Sequence, residues 1–571
     1  MTAVAAPVAA SAAVPRRRVG HRSWLTWAGL LVFLVAVGYL VVMPLYRLQA
    51  EAFRNGAEGY RLAYTAPGIG RVISYTVFLA LGSLAIALVL GTLLAWAASR
   101  LPRRLGFMRI LPILPIVVPA VANVVGWAFL FSPRPGYLNH YLRMLPWWRH
   151  LTEGPVDIYT MPWIVILTGF GLTSFVYLFV SAGFANISAE HLEAAEVAGS
   201  STWGVFFKVI LPLLRPTLIY GGGVALLLGL GQFTAPLLLG RNGGIDVLTT
   251  NMYSAMTAYP TQYGTAAALG SPLLLLGIVI VVGQKFLLGN QRRFVTHTGR
   301  AFRHQAKGSK LAAVAILLYS TMATILPIAA LAIVSLTRFW SAQIVPSKFT
   351  LENYRTLFDT NTITDAIKNS VFCAVLAVLI SLPVGFIAAN ILLRLKGYRV
   401  VRTTIDIIVS LPLGVPAVVF GAGFLMTYTR GPLVLYGTRW VIILVYVTLM
   451  LPFAVRMQLS ALIGLGEGYV EAARVSGSSL VGANLRVVLP LLRGSLGGAA
   501  ALIFVLLTHE FAASILVRAS TTQVMGTVLY DAWGNGTFPL VAAIALVMTA
   551  VTATGVIVAI LIGGSESLTK L

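Results

Sequence analysis

The stretches "EAAEVAGSSTWGVFFKVILPLLR" (193–215) and "EAARVSGSSLVGANLRVVLPLLR" (471–493) lie 278 positions apart and share their Glu-Ala-Ala, glycine and Leu-Pro positions. Each reads as two short helices with a break. The openings "EAAEVA" and "EAARVS" are helix-forming and begin with a carboxylate, which favours a helix amino terminus. Gly199 and Gly477 then stop the turn, because glycine accepts the left-handed backbone that such a stop requires. In the first copy Trp203, Phe206, Phe207 and Ile210 share one helical face. Pro212 and Pro490 stand at the entry to the next apolar run. Aromatic side chains facing water are a liability unless something covers them. A single copy would suit a helix lying in lipid headgroups. Two copies with matched spacing suit a partner that is itself two-fold symmetric.

The surroundings of these segments set the fold class. The chain has 571 residues, 58% hydrophobic and only 10% charged, with a mean hydropathy of +0.87. That composition excludes a set of soluble domains and is that of a polytopic membrane protein. About twelve apolar runs reach the roughly 20 residues needed to cross a bilayer as a helix. They fall near 25–46, 72–98, 110–131, 162–186, 216–239, 263–288, 311–336, 369–393, 403–429, 439–463, 495–517 and 538–562. Residues 25–288 and 311–562 repeat one pattern: "LPILPIVVPAV" from Leu111 answers "LPLGVPAVVF" from Leu411, and "GQFTAPLLLG" from Gly231 answers "HEFAASILVR" from His509. With an even number of spans in each half, the repeats are parallel rather than inverted. The expected architecture is all-α, two parallel six-helix repeats about an axis along the membrane normal. The first half differs mainly by a long outward loop, 132–162, where the second has only "RGPLVLYGTR" (430–439).

The formal charge of +24 does not indicate a nucleic-acid partner, because the Lys and Arg residues sit between apolar spans and not on a soluble face. Alternate loops are the basic ones: "PRRRVGHR" (15–22), "SRLPRRLGFMR" (99–109) and "LRLKGYRVVR" (393–402). By the positive-inside rule both termini are cytoplasmic. Residues 1–24 and 563–571 read as cytoplasmic tails, and 289–310, basic and without an acid, as a cytoplasmic linker near anionic lipid. The amino-terminal run imitates a signal peptide, with "AEA" at Ala50–Ala52 as its cleavage site, but it is too long for one and is expected to remain as an anchor. The lone cysteine, Cys373, lies within a span and forms no disulfide within the chain.

The spacing Glu-Ala-Ala, three residues, Gly, nine residues, an aliphatic residue, any residue, Leu-Pro is met in both copies. It is carried by Glu193, Ala194, Ala195, Gly199, Val209, Leu211 and Pro212, and by Glu471, Ala472, Ala473, Gly477, Val487, Leu489 and Pro490. This resembles the coupling loop of the inner-membrane permeases of binding-protein-dependent ABC importers. "FTLENYRTLF" from Phe349 and "AIKNSVFCAVLAVLISLPVG" from Ala366 are similar to the segments leading into and forming the second span of such permeases. The resemblance implies a bacterial inner-membrane protein with both permease halves fused. It implies two copies of a separate cytoplasmic ATPase, which hold ATP and Mg, and a periplasmic or lipid-anchored substrate-binding protein. Each loop, with Trp203 and Phe206 in the first, would seat on one ATPase. No G-x-x-x-x-G-K-[S/T] phosphate loop occurs, so the chain itself is expected to be non-catalytic and to bind no cofactor.

Ionisable residues within spans are costly and seldom face lipid. Glu510, followed by Phe511, is the clearest case, and its repeat partner is Gln232, followed by Phe233. These four residues are candidates for the translocation pathway, with Gln232 and Glu510 expected to face each other across a central cavity. The other reading of Glu510 is a structural carboxylate paired with His509 or Arg518. Asn123 is a weaker pathway candidate, since polar residues in spans also serve as helix–helix contacts. Arg456 is open to a simpler role, reaching from its span to the cytoplasm. The acidic-Phe pair resembles ferric iron permeases; thiamine, polyamine and aminoethylphosphonate permeases share the architecture. A hard trivalent ion suits oxygen ligands, and the spans hold no Cys/His/Met cluster for a soft metal. A major-facilitator secondary transporter also has twelve spans in parallel halves, but this chain lacks the G-x-x-x-D element before "SRLPRRLG", and that class has no use for two such loops.

Overall fold

A computed structural model describes residues 24–184, 187–288, 309–395, 398–466 and 468–563. Apart from residues at their edges, the tails and linker expected at 1–24, 289–310 and 563–571 lie outside the described residues. The first repeat comprises α1 Trp24–Ala52, α2 Arg54–Thr65, α3 Ile69–Ser99, α4 Arg103–Val117, α5 Ala120–Phe131 and α6 Met161–Phe184. It continues with α7 Ala189–Val197, α8 Thr202–Leu213, α9 Arg215–Leu230, α10 Thr234–Leu239, α11 Leu248–Thr257 and α12 Tyr263–Leu288. The second repeats the series: α13 Lys310–Ser335, α14 Glu352–Asp359, α15 Asn361–Arg394, α16 Arg399–Gly414, α17 Ala417–Tyr428 and α18 Arg439–Leu465. Then follow α19 Gly468–Val475, α20 Leu480–Leu491, α21 Arg493–Thr508, α22 Ser514–Val517, α23 Met525–Gly534 and α24 Phe538–Gly563. The chain is an all-α polytopic membrane protein. Among the described residues nine helices are long and apolar enough to cross a membrane, or up to twelve if three bent pairs each count as one span.

The bends follow from local sequence. Between α4 and α5 the axis turns by 93°, and between α16 and α17 by 110°. At each corner a valine precedes a proline, and a residue before proline is pushed out of the helical region by the ring. Val118 accordingly sits at φ −83°, ψ 125° and Val415 at φ −112°, ψ 125°. Pro119 and Pro416 then open the next helix, where a missing N–H costs nothing.

Within each repeat the second and fourth spans form the main contact, α3 on α6 and α15 on α18. The first span behaves differently and crosses over: α1 packs on α17 of the second repeat, and α13 on α5 of the first. Both crossings seat a proline on a glycine. A Cβ built on Gly126 would lie 2.6 Å from the carbonyl oxygen of Pro327, and one on Gly423 would lie 2.5 Å from that of Pro44. Only glycine admits backbone this close. Pro327 also has no N–H to offer the carbonyl four residues back. That carbonyl, on Ala323, receives the Asn123 side-chain amide instead, at 2.9 Å. The two repeats of the sequence are thus not two separately packed bodies.

The first repeat's extra outward loop buries Tyr137, Asn139 and Ile158, and Asn139 ties its backbone together. Asn139 donates to the carbonyls of Phe131, Ser132 and Val156 at 2.8, 3.0 and 2.7 Å and accepts from the Val156 amide at 3.2 Å. In a loop without regular pairing, one amide group satisfies backbone that would otherwise be left open.

Candidate functional site

The two Glu-Ala-Ala segments lie at the same end of the helix bundle and have the same backbone. Helix α7 stops at Gly199, φ +78°, and α19 at Gly477, φ +87°. Past each glycine the chain folds back so that Ser200 N–H reaches the Ala195 carbonyl and Ser478 N–H the Ala473 carbonyl, both at 3.0 Å. This is the expected left-handed stop. Ser201 and Ser479 then cap the next helices, their hydroxyls accepting from Gly204 N–H at 3.1 Å and Gly482 N–H at 3.0 Å. Each second helix contains a π turn, Phe206–Ile210 or Asn484–Val488, just ahead of its Leu-Pro pair.

Burial follows the repeat position by position. Glu193, Ala194 and Pro212 are exposed, as are Glu471, Ala472 and Pro490, while Ala195, Ala473, Leu211 and Leu489 are half-buried. The single aromatic face expected over Trp203–Ile210 is split. Phe206 and Ile210 are buried, whereas Trp203 and Phe207 remain exposed, because the wider π turn rotates successive side chains to different sides. The exposed apolar residues include a matched set, Val197, Trp203 and Phe207 in one copy and Val475, Val481 and Leu485 in the other, to which the second copy adds Leu480 and Leu491.

A second constellation lies deeper, at the far ends of α9 and α21. Helix α9 runs about 24 Å from Arg215 before it breaks, at 1.5 Å per residue. The break carries Gln232 and Phe233 before α10, and its counterpart carries Glu510 and Phe511 before α22. Phe233 and Phe511, both fully buried, meet with ring centroids 5.7 Å apart. Tyr253 of α11 lies 5.6 Å from Phe233, Tyr530 of α23 lies 5.7 Å from Phe511, and the two tyrosine rings are 6.4 Å apart. Four rings, two from each repeat, fill the junction. The tyrosines escaped the sequence reading, although they too stand at nearly the repeat spacing.

Gln232 and Glu510 do not confront each other across an open cavity as expected. The Phe pair occupies the junction, and each polar side chain turns back on its own segment. Gln232 Oε1 accepts from the Phe233 amide at 3.2 Å. Glu510 caps the short helix after it, accepting from Ala513 N–H at 2.7 Å, Ser514 N–H at 2.9 Å and Ser514 Oγ at 2.5 Å. Ser514 Oγ lies 2.9 Å from the hydroxyl of Tyr446. Nor does Glu510 pair with His509 or Arg518. Arg518 makes a bidentate pair with Asp531 at 2.6 and 2.8 Å, and His509 Nε2 lies 3.3 Å from Thr552 Oγ1. Arg241 Nη1 donates to Tyr530 Oη at 3.3 Å. Asn123 is at the crossing of α5 and α13, away from these rings in its bonding. Arg456 does not reach out of its span but donates to Asp406 Oδ1 and Ser410 Oγ, both at 2.6 Å. Among the described residues no group of three or more His, Cys, Asp or Glu side chains gathers as a metal site.

Comparison with known proteins sets this geometry in context. The profile of the family described as binding-protein-dependent transport system inner membrane component matches residues 6–293. A ferric transport system permease protein of Actinobacillus pleuropneumoniae is 25% identical over 511 residues, 87% of this chain and 72% of that protein. A sulfate transport system permease protein of Escherichia coli is 26% identical over 264 residues, 45% of this chain and 86% of its own length. Among solved structures, a chain of a bacterial alginate ABC transporter in complex with a periplasmic protein superposes with a TM-score of 0.40 at 21% identity. It covers 48% of this chain and 96% of that one.

Proposed function

The chain belongs to the family of binding-protein-dependent transport system inner membrane components, the permease subunits of ABC importers, and on that premise we propose how its parts work. The segments α7–α8 and α19–α20 each seat on one copy of a cytoplasmic ATPase, with ATP and Mg held by that partner and not by this chain. Both termini and both segments then face the cytoplasm. The observation that carries this reading is the recurrence, on one backbone, of two exposed apolar sets: Val197, Trp203, Phe207 and Val475, Val481, Leu485. Surfaces of this kind at one end of a pseudo-symmetric bundle suit a two-fold partner.

Phe233, Phe511, Tyr253 and Tyr530 form the barrier that separates this cytoplasmic side from the outer entrance. Packed together at the far end of α9 and α21, these rings would hold the pathway closed to the outside. Closure of the ATPase pair would draw the segments together, swing α9 and α21, and part the rings to admit cargo from an external binding protein. The proposed cargo is ferric iron, supported by the ferric permease relative that matches most of the chain. An oxyanion is the second reading, supported by the sulfate permease that matches one half and by Arg241 at the tyrosine edge of the barrier.

The test is purification of the tagged chain from its membranes in mild detergent, with stoichiometric partners identified and ATP hydrolysis measured in liposomes. Two ATPase copies per chain and cargo-stimulated hydrolysis are expected. A chain that purifies alone and moves solute under a proton gradient would overturn the assignment of both segments. Uptake of labelled ferric iron or labelled sulfate, each presented by the copurifying binding protein, decides the cargo.

A further inference from the structure

The two segments share a backbone but not an anchorage. Arg100-Leu101 and Arg394-Leu395 close the second span of their repeats, so Trp96 and Asn390 are equivalent positions four residues earlier. In the first repeat the Trp96 ring lies 4.6 Å from Phe206 and 4.9 Å from Trp203, with the Arg100 guanidinium 5.1 Å from the Trp96 ring centroid. Trp203 stacks on Phe207 at 6.0 Å. The end of α3 is thereby joined through continuous ring contact to the exposed surface of α8.

In the second repeat Val481, Asn484 and Leu485 replace Trp203, Phe206 and Phe207. The link from α15 to α20 is a small aliphatic cluster, with Ala389, Ala483 and Val488 buried together, and it includes one hydrogen bond, Arg394 Nη2 to Asn484 Oδ1 at 3.3 Å. Asn390 turns its amide to the Phe386 carbonyl at 2.9 Å, and its buried Oδ1 has no hydrogen-bond partner. A pocket of about 300 Å³, open to the surface, lies beside α20, its wall including Arg394, Leu462, Val470, Glu471, Leu480 and Val488. The first repeat has a larger side chain, Phe184, at the place of Leu462, and it is buried.

Close-packed side chains transmit displacement, whereas side chains bordering an open pocket lack contacts on one side and yield. We propose that the two segments are unequal couplers: the first is a rigid strut, with Trp96 the positioning residue that ties it to α3, and the second is a compliant seat. This rests on the reading that an ATPase docks on both. One ATPase copy therefore drives the spans directly, and movement of the other is partly absorbed beneath α20.

The test uses the full importer in liposomes and reads cargo moved per ATP hydrolysed, which simple loss of folded protein does not alter. Trp96→Ala should lower that ratio about tenfold, the scale of a lost aromatic contact or two, with both ATPase copies still bound. Trp96→Phe should restore most of it, and Asn390→Ala should change it by less than about twofold, because the Asn390 amide bonds back onto its own helix and not to α20. Equal ratios for Trp96→Ala and Asn390→Ala would overturn the proposal. If Trp96→Ala does not assemble, Leu462→Phe decides, because it adds volume at the wall of the pocket. It should reduce hydrolysis that is uncoupled from cargo, and unchanged uncoupled hydrolysis would overturn the compliant seat. Absence of any bound ATPase on the unaltered chain would instead refute the functional reading on which this rests.

Discussion

Phe233 and Phe511 occupy equivalent places in the two repeats and meet each other, ring centroids 5.7 Å apart, where the repeats join. Each follows a polar residue at a helix break, and each is backed by a tyrosine from the next short helix. The junction is thus assembled half from each repeat, and in the proposed barrier a relative movement of the helices that carry the rings would part them without unfolding either repeat.

Phe233→Ala and Phe511→Ala should each make the resting protein leaky. An aromatic pair contributes about 0.5–1.5 kcal/mol beyond its area, so the closed state should lose up to about tenfold in population. The double variant should cost less than the sum of the two, since the Phe233–Phe511 contact is shared while each ring also loses its own tyrosine. Small-ion leak from liposomes without ATP measures this. Leak equal to that of the unaltered protein would remove the rings from the barrier.

Glu510→Gln should destabilise the break between α21 and α22. The carboxylate accepts three hydrogen bonds, and an amide can present only one oxygen to them, at a cost of about 1–3 kcal/mol. A lower melting temperature in detergent with a matching fall in uptake is expected. Uptake lost at unchanged stability would mark Glu510 as a cargo contact, and uptake left intact would exclude it from the pathway.

Asn123→Leu should weaken the crossing of α5 and α13. It strips the Ala323 carbonyl of its donor, and side-chain hydrogen bonds between membrane helices are worth about 0.6 kcal/mol on average and up to about 1.7. A small loss of thermal stability with normal uptake per folded molecule is the expected result. A selective loss of uptake would restore Asn123 to the pathway.

Gly423→Ala should cost more than its size suggests. The new methyl meets the Pro44 backbone, and overpacking of this kind typically costs about 1–3 kcal/mol. Gly171→Ala, in a helix with open space around it, is the control. Equal melting temperatures for the two variants would show that α1 can retreat from α17.

Gly199→Pro or Gly477→Pro should abolish transport while the chain stays in the membrane. Proline holds φ near −65°, whereas these residues sit at +78° and +87°. Uptake and membrane fractionation together report it. Normal transport by either variant would clear that segment of a coupling role.

The sequence by itself determined the class, the places of the apolar runs, the repeat and the backbone of the two segments. These are local properties. Apolar length specifies a span, Val-Pro specifies the corners at Val118 and Val415, and a glycine four residues past Glu-Ala-Ala specifies a left-handed stop. The crossing of α1 and α13 into the opposite repeats was decided only by tertiary structure, because close approach of Gly126 to Pro327 depends on two helices meeting. The same holds for Glu510. Its polarity was plain, but its partners are the amides of a helix that exists only once the span has broken. The ring junction and the unequal anchorage of α8 and α20 arise from residues such as Tyr253 and Trp96, whose chemistry along the chain is ordinary. Their roles come from what packing brings beside them.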